Sequence, residues 1–204
     1  MTYLLAGLLV GFFVAIPVGA AAILCINRSI QFGFKAGFYT GFGVALADFL
    51  YGVVAVFGLF AISGETLQNQ PVLRLVGAFC IMFVGLRMMS KSTEPLQRNL
   101  QHETAFEDAL TGFMITITNP MTLIAFIAAL SYVNYLLNQI SFLGSVTIVF
   151  GIFFGSMFWW CILSYIAIAL RDKLINKTIQ KINLTSGLLI FVFGGILVLS
   201  IKGF

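Results

Sequence analysis

Asp48 is an acid in a place where acids are costly. It lies near the middle of an apolar stretch over 36–62, and the nearest charges along the chain are Lys35 and Glu65. A carboxylate at that depth in a bilayer costs about 2.5–3.5 kcal/mol on insertion scales, which makes it a functional candidate before any motif is read. Two chemistries suit it: facing a substrate ammonium group, or carrying a proton. Tyr51, three positions on, shares its helical face and can donate a hydrogen bond to the carboxylate, whereas Tyr39 belongs to another face. A plain hydrogen bond to a neighbouring helix is the competing explanation.

A second set of residues gathers around two prolines. Pro17 and Pro120 each remove a backbone donor from an apolar segment, and the freed groups must be satisfied by protein or by water in a cavity. In Asn119-Pro120 the asparagine is a favoured N-cap and the proline a favoured first helical residue, so a half-helix is predicted to start there. Thr116, Thr118 and Thr122 add hydroxyls around it. Ile16 offers no such cap before Pro17. Half-helices restarting after both prolines would aim their partly positive N-termini at the bilayer centre, a seat for a carboxylate. With Asp48 to face an ammonium, the set suits a zwitterion. Kinks that merely help helices pack are the alternative. Trp159 and Trp160, one turn beyond Gly155, fall at a depth comparable to Asp48 and either wall a cavity or pack against protein and lipid.

The elements that must position these residues are membrane helices. Of 204 residues, 60% are apolar and 9% charged, with a mean hydropathy of +1.06, values outside the range of soluble domains. Apolar segments at 4–25, 36–62, 72–89, 106–133, 142–170 and 184–201 read as six crossings, with no room for a soluble domain. The first lacks a basic n-region and is expected to remain as a span. Of the eleven Lys and Arg, Arg28 and Lys35 fall in the first loop, Arg87, Lys91 and Arg98 in the third, and Arg171, Lys173, Lys177 and Lys181 in the fifth. Only Arg74 and Lys202 lie opposite. That asymmetry puts the odd-numbered loops in the cytoplasm and both termini outside. It also accounts for a pI of about 9.1 without invoking nucleic acid.

The polar stretch 91–105, with Pro95 and His102, reads as a cytoplasmic linker between two halves, 1–90 and 106–204, of a single transmembrane domain. Gly41, Gly77 and Gly85 recur 110 positions later as Gly151, Gly187 and Gly195, and Pro17 is matched by Pro120. Three helices per half is an odd number, so the second copy would insert upside down, a recurring plan of secondary transporters. Gly33, Gly37, Gly41 and Ala45 follow at steps of four and lead to Asp48 and Gly52, a seam of small residues that aims the acid at protein and away from lipid. Surplus seams of this kind are compatible with a homodimer.

The remaining reactive residues form no site. Cys25, Cys80 and Cys161 lie on three segments without a CxxC and read as buried thiols, with no disulfide expected. Arg74 and Arg87, near span ends, read as snorkelling cations. His102 has no metal set around it, and no nucleophile–base pair shows interpretable spacing, so neither catalysis nor a cofactor is expected.

The run Ala15-Ile16-Pro17-Val18-Gly19, the following Leu24-Cys25-Ile26 and Arg28, the Gly33 to Gly43 series ending in Ala47-Asp48, and Thr118-Asn119-Pro120 together resemble the LysE-type translocator family. Trp159-Trp160 and the basic stretch from Arg171 are similar to its fifth helix and fifth loop. The resemblance covers nearly the whole chain. It implies an inner-membrane exporter of amino acids and related metabolites, generally proton-coupled, with Pro17, Gly19, Asp48, Asn119 and Pro120 as the site. The family's first-helix motif commonly reads Pro-x-Gly-Pro, whereas here Gly19 is followed by Ala20, which predicts a softer first break.

The wider superfamily includes metal-ion exporters and thiol–disulfide electron carriers. A hard cation would want several oxygens converging at mid-membrane, and Asp48 reads as the only acid within a span. An electron carrier would want a thiol pair near the breaks, and the fourth segment has no cysteine. The expectation is therefore an all-α integral membrane protein of the bacterial inner membrane, with six transmembrane helices in two inverted three-helix repeats. Its first and fourth helices are broken by proline, and it exports small zwitterions, with the lipid bilayer, protons and a small-molecule substrate as partners. A divalent metal-ion exporter is the alternative.

Overall fold

Proline, glycine and capping side chains set several of the helix ends. The computed structural model describes residues 1–17, 19–62, 104–137 and 140–170, with single helical positions at 79, 82, 83, 86, 184, 188, 191, 192 and 195. Six helices and no strand occur among the continuous stretches: α1 Thr2–Ala15, α2 Ala20–Phe32, α3 Phe34–Ile62, α4 Ala105–Ile117, α5 Pro120–Leu136 and α6 Phe142–Ala169. α3 and α6 are each long and apolar enough to cross a membrane, and α1–α2 and α4–α5 reach that length only as bent pairs, which gives two to four spans. Apart from the single positions, the predicted spans 72–89 and 184–201 lie outside the described residues, as do 91–103, Arg74, Arg87, Cys80 and His102.

Pro17 lacks the N–H that would continue α1. The chain turns there, with the Gly19 N–H on Pro17 O at 3.0 Å, and α2 opens on Gly19 without a side-chain cap. α1 and α2 meet at 81°, α4 and α5 at 69°. Between Gly19 and Gly33 nothing interrupts helical hydrogen bonding, so α2 runs past the predicted loop and carries Arg28 inside it. Gly33 closes α2 at φ +89°, a conformation that costs glycine little and a side chain much more.

The second bent pair starts on a reciprocal capping box. Thr104 N–H donates to Glu107 Oε2 at 2.7 Å and Glu107 N–H to Thr104 Oγ1 at 3.3 Å, so the helix begins at Ala105. α5 opens as the sequence predicts, with Asn119 Oδ1 accepting Met121 N–H at 3.2 Å and Pro120 as the first helical residue. Ser141 caps α6 through the Gly144 N–H at 3.1 Å.

Packing sorts residues by size more than by polarity. α6 turns Phe150, Phe154, Phe158 and Tyr165 outward and buries Gly151, Gly155, Ser156, Trp160 and Ser164. Gly151 lies against Leu4 and Gly7 of α1, Gly155 against Leu8 and Gly11 against Ile152, so closely that a Cβ on any of these four glycines would run into the facing backbone, the small-residue contact by which membrane helices gain dispersion energy. These glycine seams are therefore filled from within the chain, and they offer no support for a homodimer. Gly41 packs against Trp160 while Gly151 packs against α1, so this pair of glycines does not mark equivalent contacts.

The pairings also fix direction. Tyr3 lies by Gly144, Gly7 by Gly151 and Phe12 by Trp159, so α1 runs parallel to α6. Gly37 lies by Ser164, Gly41 by Trp160 and Gly52 by Ile152, so α3 runs antiparallel to it. Gly43 abuts Ala109 and Tyr51 reaches Ile117, which sets α4 parallel to α3. A bent pair followed by a long helix thus occurs twice, and the two bent pairs start in opposite directions. The Gly33 turn, the start of α4 and the end of α6 gather at one face.

Candidate substrate and proton site

Asp48 is buried, as its place on the small-residue seam predicts. The Ser156 hydroxyl donates to its Oδ2 at 2.5 Å across the α3–α6 interface, and the Trp160 indole N–H donates to Ser156 Oγ at 3.1 Å. Neither Ser156 nor this order of donors follows from Asp48 alone. The available signal is the pair Gly155-Ser156, two small residues in the middle of a helix otherwise rich in Phe. Trp160 belongs to the protein core, and Trp159 does something different: its ring packs edge-on against Phe12 at 5.5 Å, and its buried Nε1 has no hydrogen-bond partner.

Tyr51 is buried on the face it shares with Asp48, while Tyr39 is exposed. The hydroxyl does not bond the carboxylate as predicted. It donates to Ile117 O at 2.6 Å, with Thr116 O and Asn119 O each at 3.4 Å. The physical reason is the break at Pro120: Thr116 O takes the Asn119 N–H at 2.9 Å, the Met121 N–H goes to Asn119 Oδ1, and Ile117 O is left for the tyrosine hydroxyl. Tyr51 therefore links Asp48, one helical turn away, to the second break. On the other side Ala15, the last residue of α1, packs in one cluster with Ala45 and Trp160.

The other predicted residues sit further out. Asn119, Pro120 and Thr118 are exposed, with Thr118 Oγ1 donating to Met114 O at 2.8 Å, and Pro17, Gly19 and Thr122 are half-buried. Thr116 is buried but spends its hydroxyl on Gly112 O at 2.9 Å. The structure thus brings together Asp48, Ser156 and Trp160 directly, and joins Tyr51 to the 116–119 turn. Among the described residues there is no direct bond between Asp48 and either proline turn.

Asp48 is not the only acid buried in the helices. Asp108, in the first turn of α4, is buried against Arg28 of α2, Oδ1 to Nε 3.0 Å, and Arg28 Nη1 also donates to Asp108 O at 3.1 Å and to Thr40 Oγ1 at 3.2 Å. Arg28, counted from sequence among nine loop cations, is an interior residue. Nearby, the Cys25 thiol is buried against Gly37 O at 3.4 Å and Ser164 Oγ at 3.3 Å, and Cys161 is half-buried. Both thiols are free.

Two layers of polar groups thus cross an apolar helical protein, one at the centre of α3 and one nearer its start. With that arrangement in view, the profile of the LysE type translocator family matches residues 12–201. The chain belongs to the LysE type translocator family. The translocator is 27% identical over 116 residues to YahN of Escherichia coli (strain K12), an uncharacterized membrane protein, covering 55% of this chain and 52% of that one. It is 23% identical over 212 residues to the uncharacterized membrane protein YrhP of Bacillus subtilis (strain 168), covering 95% and 97% of the two. A 24% match over 200 residues to the uncharacterized membrane protein ycf78 of Oltmannsiellopsis viridis covers 91% of this chain. The translocator thus spans 52% of the length of YahN, 25% of ycf78 and nearly all of YrhP. No solved structure matches it.

Proposed function

We propose that this translocator exports amino acids or related small zwitterionic metabolites across the bacterial inner membrane by proton-coupled alternating access, with both termini outside. The observation that carries this is the setting of Asp48: a buried carboxyl at the centre of a long helix, bonded to the neutral hydroxyl of Ser156, with no cation facing it among the described residues. A carboxyl so held can keep its contact with or without a proton, because a hydroxyl accepts as well as donates. Asp108, locked to Arg28, has no such freedom.

Trp160 sets the direction of the relay. An indole N–H only donates, so it occupies a lone pair of Ser156 and sends the serine proton to Asp48 Oδ2. Oδ1 is then the oxygen to take a proton or a substrate ammonium, while the substrate carboxylate faces the N-termini of α2 and α5. The antiparallel course of α3 and α6, and the recurrence of bent pair and long helix, support an inverted repeat in which 72–89 and 184–201 supply the third helix of each half.

Efflux of labelled amino acids and of divalent metals from proteoliposomes or inverted vesicles tests this assignment. Amino-acid flux is expected. Among the described residues no three His, Cys, Asp or Glu converge, and metal flux without amino-acid flux would reverse the assignment in favour of a metal-ion exporter.

A further inference from the structure

Arg28 and Asp108 are charged, buried and unused by the site built on Asp48. Thr40, which accepts from Arg28, precedes Asp48 by eight residues on α3, about 12 Å along the axis. The displacement is toward the face where the Gly33 turn and the start of α4 meet. The ion pair therefore stands between Asp48 and that face, and it ties α2 to α4.

The two helices it joins are held differently. α4 is keyed to α3, with the Ala109 backbone filling the space beside Gly43 and the Thr40 backbone the space beside Gly112. α2 is joined to the chain at the 81° break before Ala20 and the positive-φ Gly33, and it packs on α3 and α6 through side chains, with Ser29 filling the space beside Gly37 and Cys25 against Gly37 O and Ser164. Separating α2 from α4 breaks fewer close backbone contacts than separating α4 from α3. The Arg28–Asp108 bond must part in that motion, and so must the contacts of Cys25 with Gly37 and Ser164.

Packed apolar side chains would join two helices at least as well as a buried ion pair, without the desolvation cost. What an ion pair adds is exchangeability. A molecule carrying one anionic and one cationic group can take over both bonds, its carboxylate on the Arg28 guanidinium and its ammonium on Asp108, so that each buried charge keeps an opposite charge beside it. We propose that Arg28 and Asp108 form a latch on this face, and that a zwitterionic α-amino acid opens it by replacing each residue in the other's bond. The latch rests on the exporter assignment: substrate from the cytoplasmic side meets Arg28 and Asp108 first and Asp48 second. An amine or a simple carboxylate supplies only half of the exchange and leaves the latch closed.

Cys25, three residues before Arg28 and wholly buried against Gly37 and Ser164, is a reporter already in place. With Cys80 and Cys161 replaced by Ser, its alkylation by N-ethylmaleimide is followed in proteoliposomes. The additions are an equimolar mixture of the twenty standard amino acids, a mixture of n-alkylamines, and a mixture of n-alkanoates. The amino acids are expected to speed alkylation about tenfold, the scale of one charge-assisted bond, and the other two mixtures to do nothing. Arg28→Gln should react fast without ligand and respond to none. The charge exchange Arg28→Asp with Asp108→Arg should restore slow alkylation and thermal stability, yet raise KM for amino-acid export about tenfold, because each substrate group then meets the wrong partner. A purely structural pair would recover KM together with stability, and that result overturns the latch. So does a Cys25 rate that ignores amino acids, or rises equally with amines, while the same vesicles export amino acids in an Asp48-dependent way. Absence of any amino-acid flux would remove the latch and the exporter assignment together.

Discussion

Asp48 and Ser156 meet at the midpoints of the two long helices that carry them. Fourteen residues of α3 flank Asp48 on either side, and α6 has fourteen before Ser156 and thirteen after it. Two helices that run antiparallel and touch at their centres place this hydrogen bond at the depth where a bilayer is most apolar, so its loss should be felt in both stability and transport.

Ser156→Ala removes the donor to Asp48 and the acceptor of the Trp160 N–H in one step. The expected cost is about 1–3 kcal/mol, the desolvation penalty of the polar groups left without partners, read as a lowered midpoint of thermal unfolding in detergent. Transport should fall with it. A variant as stable and active as the parent would show that the relay has no role.

Tyr51→Phe takes the cap from the stranded carbonyls at the end of α4 and should cost about 1 kcal/mol. Tyr39→Phe, on the exposed side of the same helix, should stay within about 0.5 kcal/mol of the parent. Equal effects at the two tyrosines would mean that the bond to Ile117 O is not holding the break.

Gly11→Ala puts a Cβ into the backbone of Ile152 and should destabilise by about 1–3 kcal/mol through overpacking. Gly58, with nothing near its Cβ position among the described residues, is the control: Gly58→Ala should be neutral or stabilising by up to about 1 kcal/mol. Folded yield after detergent extraction checks both.

Asp108→Leu alone takes the carboxylate from beside the buried Arg28 guanidinium and should cost about 3–5 kcal/mol. Adding Arg28→Met should restore most of that stability, since the desolvation cost disappears with the charges. Thermal unfolding of the single and double variants decides it, and a double variant no more stable than the single would contradict the interior placement.

The breaks at Pro17 and Pro120 are legible in the sequence because proline acts through its own missing N–H, and Asn119 through a bond two residues away. The orientation of Asp48 is legible for a related reason. Hydrophobicity is nearly uniform around α3 and α6, so its period says little, but the spacing of small residues from Gly37 to Gly52 marks the inner face. Arg28 is harder to read. A basic residue at the end of an apolar run looks like a loop charge, and its partner is eighty residues away. Two local signals were available: no helix breaker stands between Gly19 and Gly33, and the Thr104–Glu107 capping box puts Asp108 inside a helix. The partner of Tyr51 escapes periodicity altogether, since the face is set by the helix and the acceptor by carbonyls that a distant proline strands.

The most direct test is the Asp48→Asn variant in proteoliposomes, assayed for amino-acid export with and without an imposed proton gradient. Asparagine keeps the shape and an oxygen for the Ser156 hydroxyl but cannot take up a proton. Folded protein whose transport no longer responds to the gradient is the expected result. Undiminished export that is still driven by the gradient would contradict the proton-carrying role of Asp48.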